Sequence, residues 1–235
     1  MSITKITSCI ITPMSKLKND IRDATLSNKA ILKSDRDIET IKSLNKFAKR
    51  SGNILVLSGG YAVEAHCGGK ITRAHGDIDA HFILTGKVPN DQLLVQAQEL
   101  LDEENTKWKV KQRIPDKLDY IEDDENKEFF DKRHVEVRLN TPHKNNIKYP
   151  KRTLINSRGK IVEIVIVDLN QIISEKINKI FETKDRVNTS IDRHPSATDY
   201  LDLKRLLDLK EYDKERVLKS VSQSTFGVVM KLLHK

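Results

Sequence analysis

The sequence has few cysteines, few aromatic residues and no long hydrophobic run. Cys9 and Cys67 are its two cysteines, and neither has a partner at the spacing of a metal-binding motif. No segment approaches the roughly 20 apolar residues needed to cross a bilayer. These absences argue against a disulfide-rich secreted domain, a zinc finger and a membrane protein. We therefore expect a cytoplasmic protein with no membrane partner.

The sequence also lacks a Walker-type glycine loop and an ordered serine, histidine and aspartate set, so P-loop and acyl-transfer chemistry have no support. Hydrophobic residues make up 37% of the chain, which is enough for a core. The net charge of +8 favours anionic partners such as nucleotides or nucleic acid. Charge alone does not choose among these partners.

The spacing of apolar residues predicts an α+β fold. Ser34 has the position of a helix N-cap, because an apolar helical face follows it at Ile38, Ile41, Leu44 and Phe47. After it we expect strands at residues 53–57, 77–84, 108–113, 134–139 and 161–167, helices at 61–67 and 90–104, and helices from residue 170 onward. The resulting organisation is an arm at 1–33, an α+β domain at 34–169 and a helical region at 170–235.

Two aspartates on one predicted strand are the strongest chemical signal. Side chains two residues apart on a strand share a face, so Asp77 and Asp79 project together while Ile78 points to the core. Mg²⁺ takes oxygen ligands and often binds through one or two carboxylates plus substrate phosphates. Glu136 follows the same alternation on a later strand and is the candidate third carboxylate of a two-metal site. Glu163 and Asp168 are weaker candidates for that place.

A glycine pair, Gly59-Gly60, stands between a predicted strand and a predicted helix. Glycines at such a point let the backbone approach a ligand, and a helix N-terminus offers N–H groups to a phosphate. Arg73 lies between the glycines and the carboxylates and is a candidate phosphate contact. His75 either binds substrate or braces the turn into the strand, and the brace is the favoured interpretation.

These residues together resemble a known family. Ser58-Gly59-Gly60-Tyr61, then Glu64, Thr72-Arg73, His75 and Asp77-Ile78-Asp79 resemble the nucleotidyltransferases of the DNA polymerase β superfamily, closest to the aminoglycoside and lincosamide branch. The resemblance covers about residues 55–84. Tyr61 stands where tryptophan is more usual, and Glu64 where aspartate is more usual. Both exchanges keep the chemistry and bear on the substrate more than on the reaction.

A second, looser resemblance lies in the helical region. Ile172 to Ile177 and the later Asp199-Tyr200-Leu201-Asp202-Leu203 are similar to the C-terminal pattern of abortive-infection nucleotidyltransferase toxins. It implies that Lys176 contacts phosphate and that Asp199 orients the lysine or the acceptor. The structural alternatives are a solvated Lys176 and an Asp199 that caps a helix.

The resemblance implies a polymerase β-like domain, with a mixed sheet and flanking helices, followed by a helical C-terminal part. It implies an enzyme that moves a nucleoside monophosphate from a nucleoside triphosphate, expected to be ATP, to an acceptor hydroxyl, with two Mg²⁺ ions. The implied metal ligands and catalytic groups are Asp77, Asp79 and Glu136. The implied nucleotide contacts are Ser58, Gly59, Gly60, Arg73 and Lys176, with Glu64, His75 and Asp199 supporting the site.

Three functions stay open, and the charge pattern does not decide among them. Residues 116–131 hold eight acidic residues against two lysines and could attract a cationic antibiotic of the aminoglycoside type. Residues 141–160 hold six basic and no acidic residues and could follow the backbone of tRNA, as in a toxin. The small molecule is favoured because its motif is contiguous. The third function, a non-catalytic nucleotide- or RNA-binding module, is disfavoured by the intact aspartate pair.

Overall fold

The computed structural model describes residues 28–73, 75–83, 108–114, 117–123, 125–126, 132–140, 149–181, 197–221 and 230. They fall into two compact units that divide between Asp168 and Leu169. Among these residues, no helix has both the length and the apolar character that a membrane crossing requires. The predicted helix at 90–104 lies outside the described residues.

The unit that ends at Asp168 is built on one mixed sheet with the strand order β3-β4-β5-β2-β1-β7-β6. The strands are β1 (Ile54–Leu57), β2 (Ile78–Ile83), β3 (Trp108–Ile114), β4 (Lys117–Glu122), β5 (His134–Asn140), β6 (Lys151–Ile155) and β7 (Ile161–Ile166). β2 is the central strand of the sheet, and it pairs antiparallel with β1 on one side and parallel with β5 on the other.

In the described part of this unit, helices α1 (Asn28–Arg50) and α2 (Gly59–His66) pack on the sheet. The predicted apolar face of α1 is buried, and Phe47 makes an edge-on ring contact with Phe82 of β2 at a centroid distance of 5.6 Å. Ile78, Ala80 and Phe82 alternate along β2 and are all buried. The residues between them therefore project from the opposite face of the sheet.

Helix α1 begins earlier than predicted. It starts at Asn28, so Ser34 is a buried residue inside the helix and not its N-cap. The segment from Lys29 to Lys33 contains good helix formers and no breaker, which lets the helix extend past the polar serine. Residues 28–33 therefore belong to α1 rather than to an arm.

Two strands, β4 and β6, were absent from the prediction. Both are rich in charged residues: β4 is Lys-Leu-Asp-Tyr-Ile-Glu, where the apolar alternation is limited to Leu118 and Tyr120, and β6 is Lys-Arg-Thr-Leu-Ile, which does not alternate. In addition, β2 begins at Ile78, which places Asp77 just before the strand rather than on it.

The second unit contains α3 (Leu169–Phe181), α4 (Ala197–Asp208) and α5 (Lys214–Ser220). The predicted apolar face of α3 is buried at Ile172, Ile173, Ile177 and Ile180, and α3 packs against both other helices. Asp213 caps α5, since its side chain accepts a hydrogen bond from the Arg216 backbone N–H at 3.1 Å.

Candidate functional site

The sheet brings Asp79 and Glu136 side by side on one face. β2 and β5 run parallel, and Asp79 is the register partner of Glu136. Asp77 precedes Asp79 by two residues, and both aspartates are half-buried, while Glu136 is buried. β5 therefore lies beside β2 as the sequence predicted.

Glu136 is held by two cations. Lys117 of β4 places its Nζ 2.7 Å from Glu136 Oε2, and Arg138 places Nη2 2.8 Å from Glu136 Oε1. Burial raises the pKa of the Glu136 carboxyl, but the hydrogen bonds and charges of Lys117 and Arg138 outweigh burial and hold the pKa below its ordinary value. Sequence analysis missed Lys117 because its strand was not recognised.

The two aspartates fit a magnesium ion by their chemistry. Asp77 and Asp79 supply hard carboxylate oxygens at the end of a strand, the donor type that Mg²⁺ prefers. In the part of the chain that the structure describes, no three His, Cys, Asp or Glu side chains form a group that could hold a metal. Since both Glu136 oxygens carry ion pairs, its role as a third ligand stays a prediction.

The two glycines make room for side chains of the site. Gly59 has φ +58°, and a Cβ there would lie 1.8 Å from Asp79 Oδ2. A Cβ on Gly60 would lie 2.1 Å from His75 Nδ1, with Arg73 Nη2 at 3.3 Å. At the start of α2, Gly59 thus leaves room for the Asp79 side chain, and Gly60 leaves room for the side chains of His75 and Arg73.

Ser58 joins the strand of the glycine pair to the aspartate strand. Its backbone N–H donates to the Asp79 carbonyl at 2.9 Å, and its Oγ lies 3.0 Å from His81 Nε2. Burial, and next the charge of Arg138, lower the pKa of His81 to about 4, while Glu136 opposes them. His81 is therefore neutral at physiological pH and acts as a hydrogen-bonding group of the open sheet face.

Glu64 braces the loop between the glycines and the aspartates. It is fully buried, and its Oε1 accepts hydrogen bonds from Thr72 N at 3.2 Å and Thr72 Oγ1 at 2.9 Å. His75 Nε2 lies 3.4 Å from the same oxygen, and the His75 ring is also buried. These contacts support a bracing function for Glu64 and His75.

Helix α1 also contacts this loop and Tyr61, through Lys33 and Asp37, which were not among the predicted site residues. Lys33 Nζ donates to the carbonyls of His75 at 2.6 Å and Gly76 at 3.1 Å. The Tyr61 ring contacts the His75 ring at a centroid distance of 4.3 Å and a tilt of 40°, and its hydroxyl donates to Asp37 Oδ2 at 2.6 Å. The available signal was the spacing of Lys33 and Asp37, which places two charged residues in line with the apolar face of the helix.

In the helical unit, Lys176 pairs with two aspartates. Its Nζ donates to Asp199 Oδ1 at 2.9 Å and to Asp202 Oδ2 at 2.8 Å, and Lys179 adds a 3.0 Å bond to Asp199. Burial raises the pKa of the Asp199 carboxyl, but Lys176 and Lys179 outweigh it and hold the pKa well below its usual range. Asp202, to which the sequence pattern assigned no role, follows Asp199 by one helical turn. The catalytic roles of Lys176 and Asp199 stay predictions.

The weaker carboxylate candidates lie elsewhere on the sheet. Glu163 is exposed on β7, which is separated from β2 by β1. Asp168 lies beyond the last residue of β7 and is half-buried. Neither is a register partner of Asp79, so Glu136 is the carboxylate that the sheet places beside it.

Comparison with solved structures identifies the fold. The antibiotic-resistance factor ANT(2″)-Ia is similar over 85% of this chain and 96% of that chain, with a TM-score of 0.50 and 16% identity. JHP933 from Helicobacter pylori matches over 88% and 82%, with a TM-score of 0.46 and 17% identity. No protein-family model and no curated protein matches the sequence. The similarity to ANT(2″)-Ia shows the fold alone, and it confirms the predicted α+β fold.

Gly59→Ala should cost more stability than Gly159→Ala. Both glycines have positive φ, +58° and +76°, so each alanine pays a left-handed backbone penalty of about 1–2 kcal/mol. Only the Gly59 variant also forces its Cβ into Asp79, since nothing lies within 4 Å of a Cβ at Gly159. Urea unfolding of the two variants measures the difference. Equal losses of stability would contradict the close approach of Gly59 to Asp79.

Asp37→Asn should remove a pH dependence of stability. Burial raises the pKa of Asp37 from 3.8 to about 6, although Lys33 and the Tyr61 hydrogen bond oppose it. The pKa of Asp37 is higher in the folded than in the unfolded protein. Its contribution to the free energy of unfolding is therefore largest below about pH 4, falls as the pH rises to 6, and is smallest above pH 6. The neutral amide should flatten that fall and stabilise the protein at pH 7.5 by up to about 3 kcal/mol.

Chemical denaturation between pH 4 and 8 checks this expectation, with the exposed Asp208→Asn as control. The control should keep the wild-type profile. If Asp37→Asn also keeps the wild-type profile, Asp37 is ionised over the whole pH range, and its cationic and hydrogen-bonding neighbours offset the effect of burial on its pKa.

Proposed function

We propose that this chain, which has the fold of the polymerase β-like nucleotidyltransferases, is a metal-dependent nucleotidyltransferase. The observation that carries the proposal is the register of Asp79 with Glu136, on the face where Gly59 brings the start of α2 against Asp79. Carboxylates beside a helix N-terminus suit a metal-bound triphosphate, because the carboxylates hold the cation and the backbone N–H groups face the phosphates.

The proposed reaction is an in-line displacement at the α-phosphorus of a nucleoside triphosphate, expected to be ATP. The acceptor oxygen forms a bond to that phosphorus, the bond from phosphorus to the bridging oxygen breaks, pyrophosphate leaves and the hydroxyl proton is lost. Bound Mg²⁺ would neutralise triphosphate charge and stabilise the leaving group. Asp77 and Asp79 would hold the ion, and Arg73, on the Gly60 side of the loop, would position phosphate oxygens.

Glu136 has a different environment from the two aspartates. A carboxylate whose pKa is held below its ordinary value is a weak base, so the ion pairs with Lys117 and Arg138 disfavour Glu136 as the group that removes the hydroxyl proton. They favour a role in fixing the charge and geometry of the site beside Asp79. The proton can pass to solvent or to the triphosphate without a protein base, since this chemistry depends mainly on placement.

Lys176 stays in the proposal as a phosphate contact, with Asp199 as the residue that orients it. An ammonium has three N–H donors, and Asp199 and Asp202 take two of them. The two aspartates fix the direction of the side chain, and the third donor is what a phosphate would use.

A small hydroxylated acceptor, such as an aminoglycoside-type antibiotic, is the favoured substrate. The contiguous motif around Gly59-Gly60 and the aspartates supports it, as does the fold shared with an antibiotic-resistance factor. The acidic segment contributes less exposed charge than the sequence suggested. Asp119 and Glu122 are buried on β4. Among the other described acidic residues of this segment, Asp123 is half-buried and Glu125 is exposed.

RNA is the second candidate acceptor, and the exposed pair Lys151 and Arg152 on β6 favours it. The rest of the described basic segment is less available for phosphates. Arg158 pairs with Asp35 at 2.8 Å, and Lys160 lies 3.4 Å from Glu39. Two of the basic side chains are thus engaged by α1, which weakens the segment as a continuous track for an RNA backbone.

Asp77→Asn and Asp79→Asn should each lower nucleotidyl transfer at least about 100-fold, because each removes a charge that holds the metal–triphosphate complex. The matched control is Glu163→Gln, which removes an exposed carboxylate from a strand that does not border β2. The measurement is transfer from labelled triphosphates to an antibiotic panel and to total RNA, with calorimetry of Mg²⁺-dependent nucleotide binding. Unchanged binding in both aspartate variants would remove the site from the proposal. Tight binding without any transfer would instead favour the non-catalytic module.

Charge variants should separate the two acceptors. If the acceptor is a cationic small molecule, neutralising Asp123 and Glu125 should raise its KM, since surface charge concentrates a charged ligand, while Lys151→Ala with Arg152→Ala should do little. If RNA is the acceptor, the β6 variant should weaken RNA binding and flatten its salt dependence by about one unit of slope per lost contact. Labelled nucleotide on RNA with no antibiotic modified would overturn the favoured substrate.

A further inference from the structure

Lys117 and Asp119 extend the candidate site onto a third strand. β4 pairs antiparallel with β5, with Asp119 opposite Glu136 and Lys117 opposite Arg138. Since Glu136 is also the register partner of Asp79, three carboxylates lie in one row across β2, β5 and β4. Register partners project from the same face of a sheet, so all three belong to the face that carries the candidate site.

Lys117 is the cation inside this row. Its Nζ lies 2.7 Å from Glu136 Oε2 and 3.5 Å from Asp119 Oδ1, and only 12% of its side chain is exposed. Asp119 is itself buried, and its Oδ1 makes no hydrogen bond within the described part of the chain, so the ion pair with Lys117 is what balances its charge. The amine therefore bridges two buried carboxylates from neighbouring strands.

A divalent ion and Lys117 would compete for the same oxygen. An ion bound to Glu136 Oε2 at an ordinary Mg²⁺–oxygen distance would lie within about 5 Å of the Lys117 ammonium. The separation of the two cations cannot exceed the sum of their distances to the shared oxygen. Like charges that close in a partly desolvated site repel strongly. Arg138 occupies the other oxygen at 2.8 Å, which leaves Glu136 with a cation on each side.

We propose that Lys117 takes the place of a second metal ion: it bridges Glu136 and Asp119, so that the site binds one divalent ion, through Asp77 and Asp79. This inference rests on the proposed function, and it proposes a one-metal site in place of the expected two-metal site with Glu136 as a ligand. Lys117 is a positioning residue in this arrangement, because it acts through Glu136. In this arrangement Lys117 supplies a positive charge that belongs to the protein, and a divalent ion would arrive with the nucleotide.

The test counts ions. Binding of Mn²⁺ in the presence of a non-hydrolysable nucleoside triphosphate, followed by electron paramagnetic resonance, should give one ion per wild-type chain. Lys117→Met removes the charge at similar length and should let a second ion bind, with a dissociation constant lowered at least about tenfold. Lys117→Arg keeps the charge and should retain the count of one. Lys160→Met removes an ion-paired lysine elsewhere on the same unit, and it should also retain the count of one ion.

Loss of folding in Lys117→Met would not stop the test. The double variant Lys117→Met with Asp119→Asn removes the buried charge that the single variant leaves unpaired, and it should also gain the second ion. A wild-type count of two that falls to one in Glu136→Gln would overturn the inference and leave the proposed function standing. Absence of a second ion from both Lys117→Met and the double variant with Asp119→Asn would overturn it as well. A wild type that binds no metal with nucleotide would overturn both.

Discussion

The concentration of negative charge on one face of the sheet is the constraint on which the rest of the structure depends. Asp79, Glu136 and Asp119 follow one another across three neighbouring strands. Like charges at such spacing destabilise a sheet unless cations lie among them. Lys117 and Arg138 provide this compensation at the Glu136 end of the row. At the other end of the row, Asp79 and the nearby Asp77 are half-buried and supply the carboxylate oxygens that suit a metal ion.

The Asp79 end is shaped by backbone rather than by charge. Gly59 lies so close to Asp79 that any Cβ there would displace the Asp79 side chain, and its positive φ also favours glycine. Beyond it, Glu64, Thr72 and His75 form hydrogen bonds and contacts that define the loop leading to Asp77. Helix α1 is part of the same arrangement, because Lys33 holds two carbonyls of that loop. The position of Asp77 thus depends on residues more than forty positions earlier in the chain.

The sequence predicted the features that are local. The alternation of Ile78, Ala80 and Phe82 and the helical spacing of Ile38, Ile41 and Leu44 follow from burial of one face, and periodicity reports burial directly. β4 and β6 were not predicted in this way, because charged residues make up much of each strand. On β4, Lys117 pairs with Glu136, a partner that is distant in sequence, whereas Lys151 and Arg152 of β6 are exposed. The sequence motif points to Gly59-Gly60 and the aspartates as parts of the candidate site, whereas Lys117, Lys33 and Asp37 join it only through tertiary contacts.

The environments of the carboxylates separate their functions more clearly than their spacing does. Asp77 and Asp79 are half-buried beside a helix N-terminus, where a positive ion with its phosphates can reach them. Glu136 is buried between two cations that lower its pKa, so proton acceptance and metal binding both compete with contacts it already makes. A carboxylate that is neutralised by its own protein serves best as a fixed part of the scaffold. The open aspartates beside it then experience less repulsion from Glu136, and the site can carry its negative charge before any metal arrives.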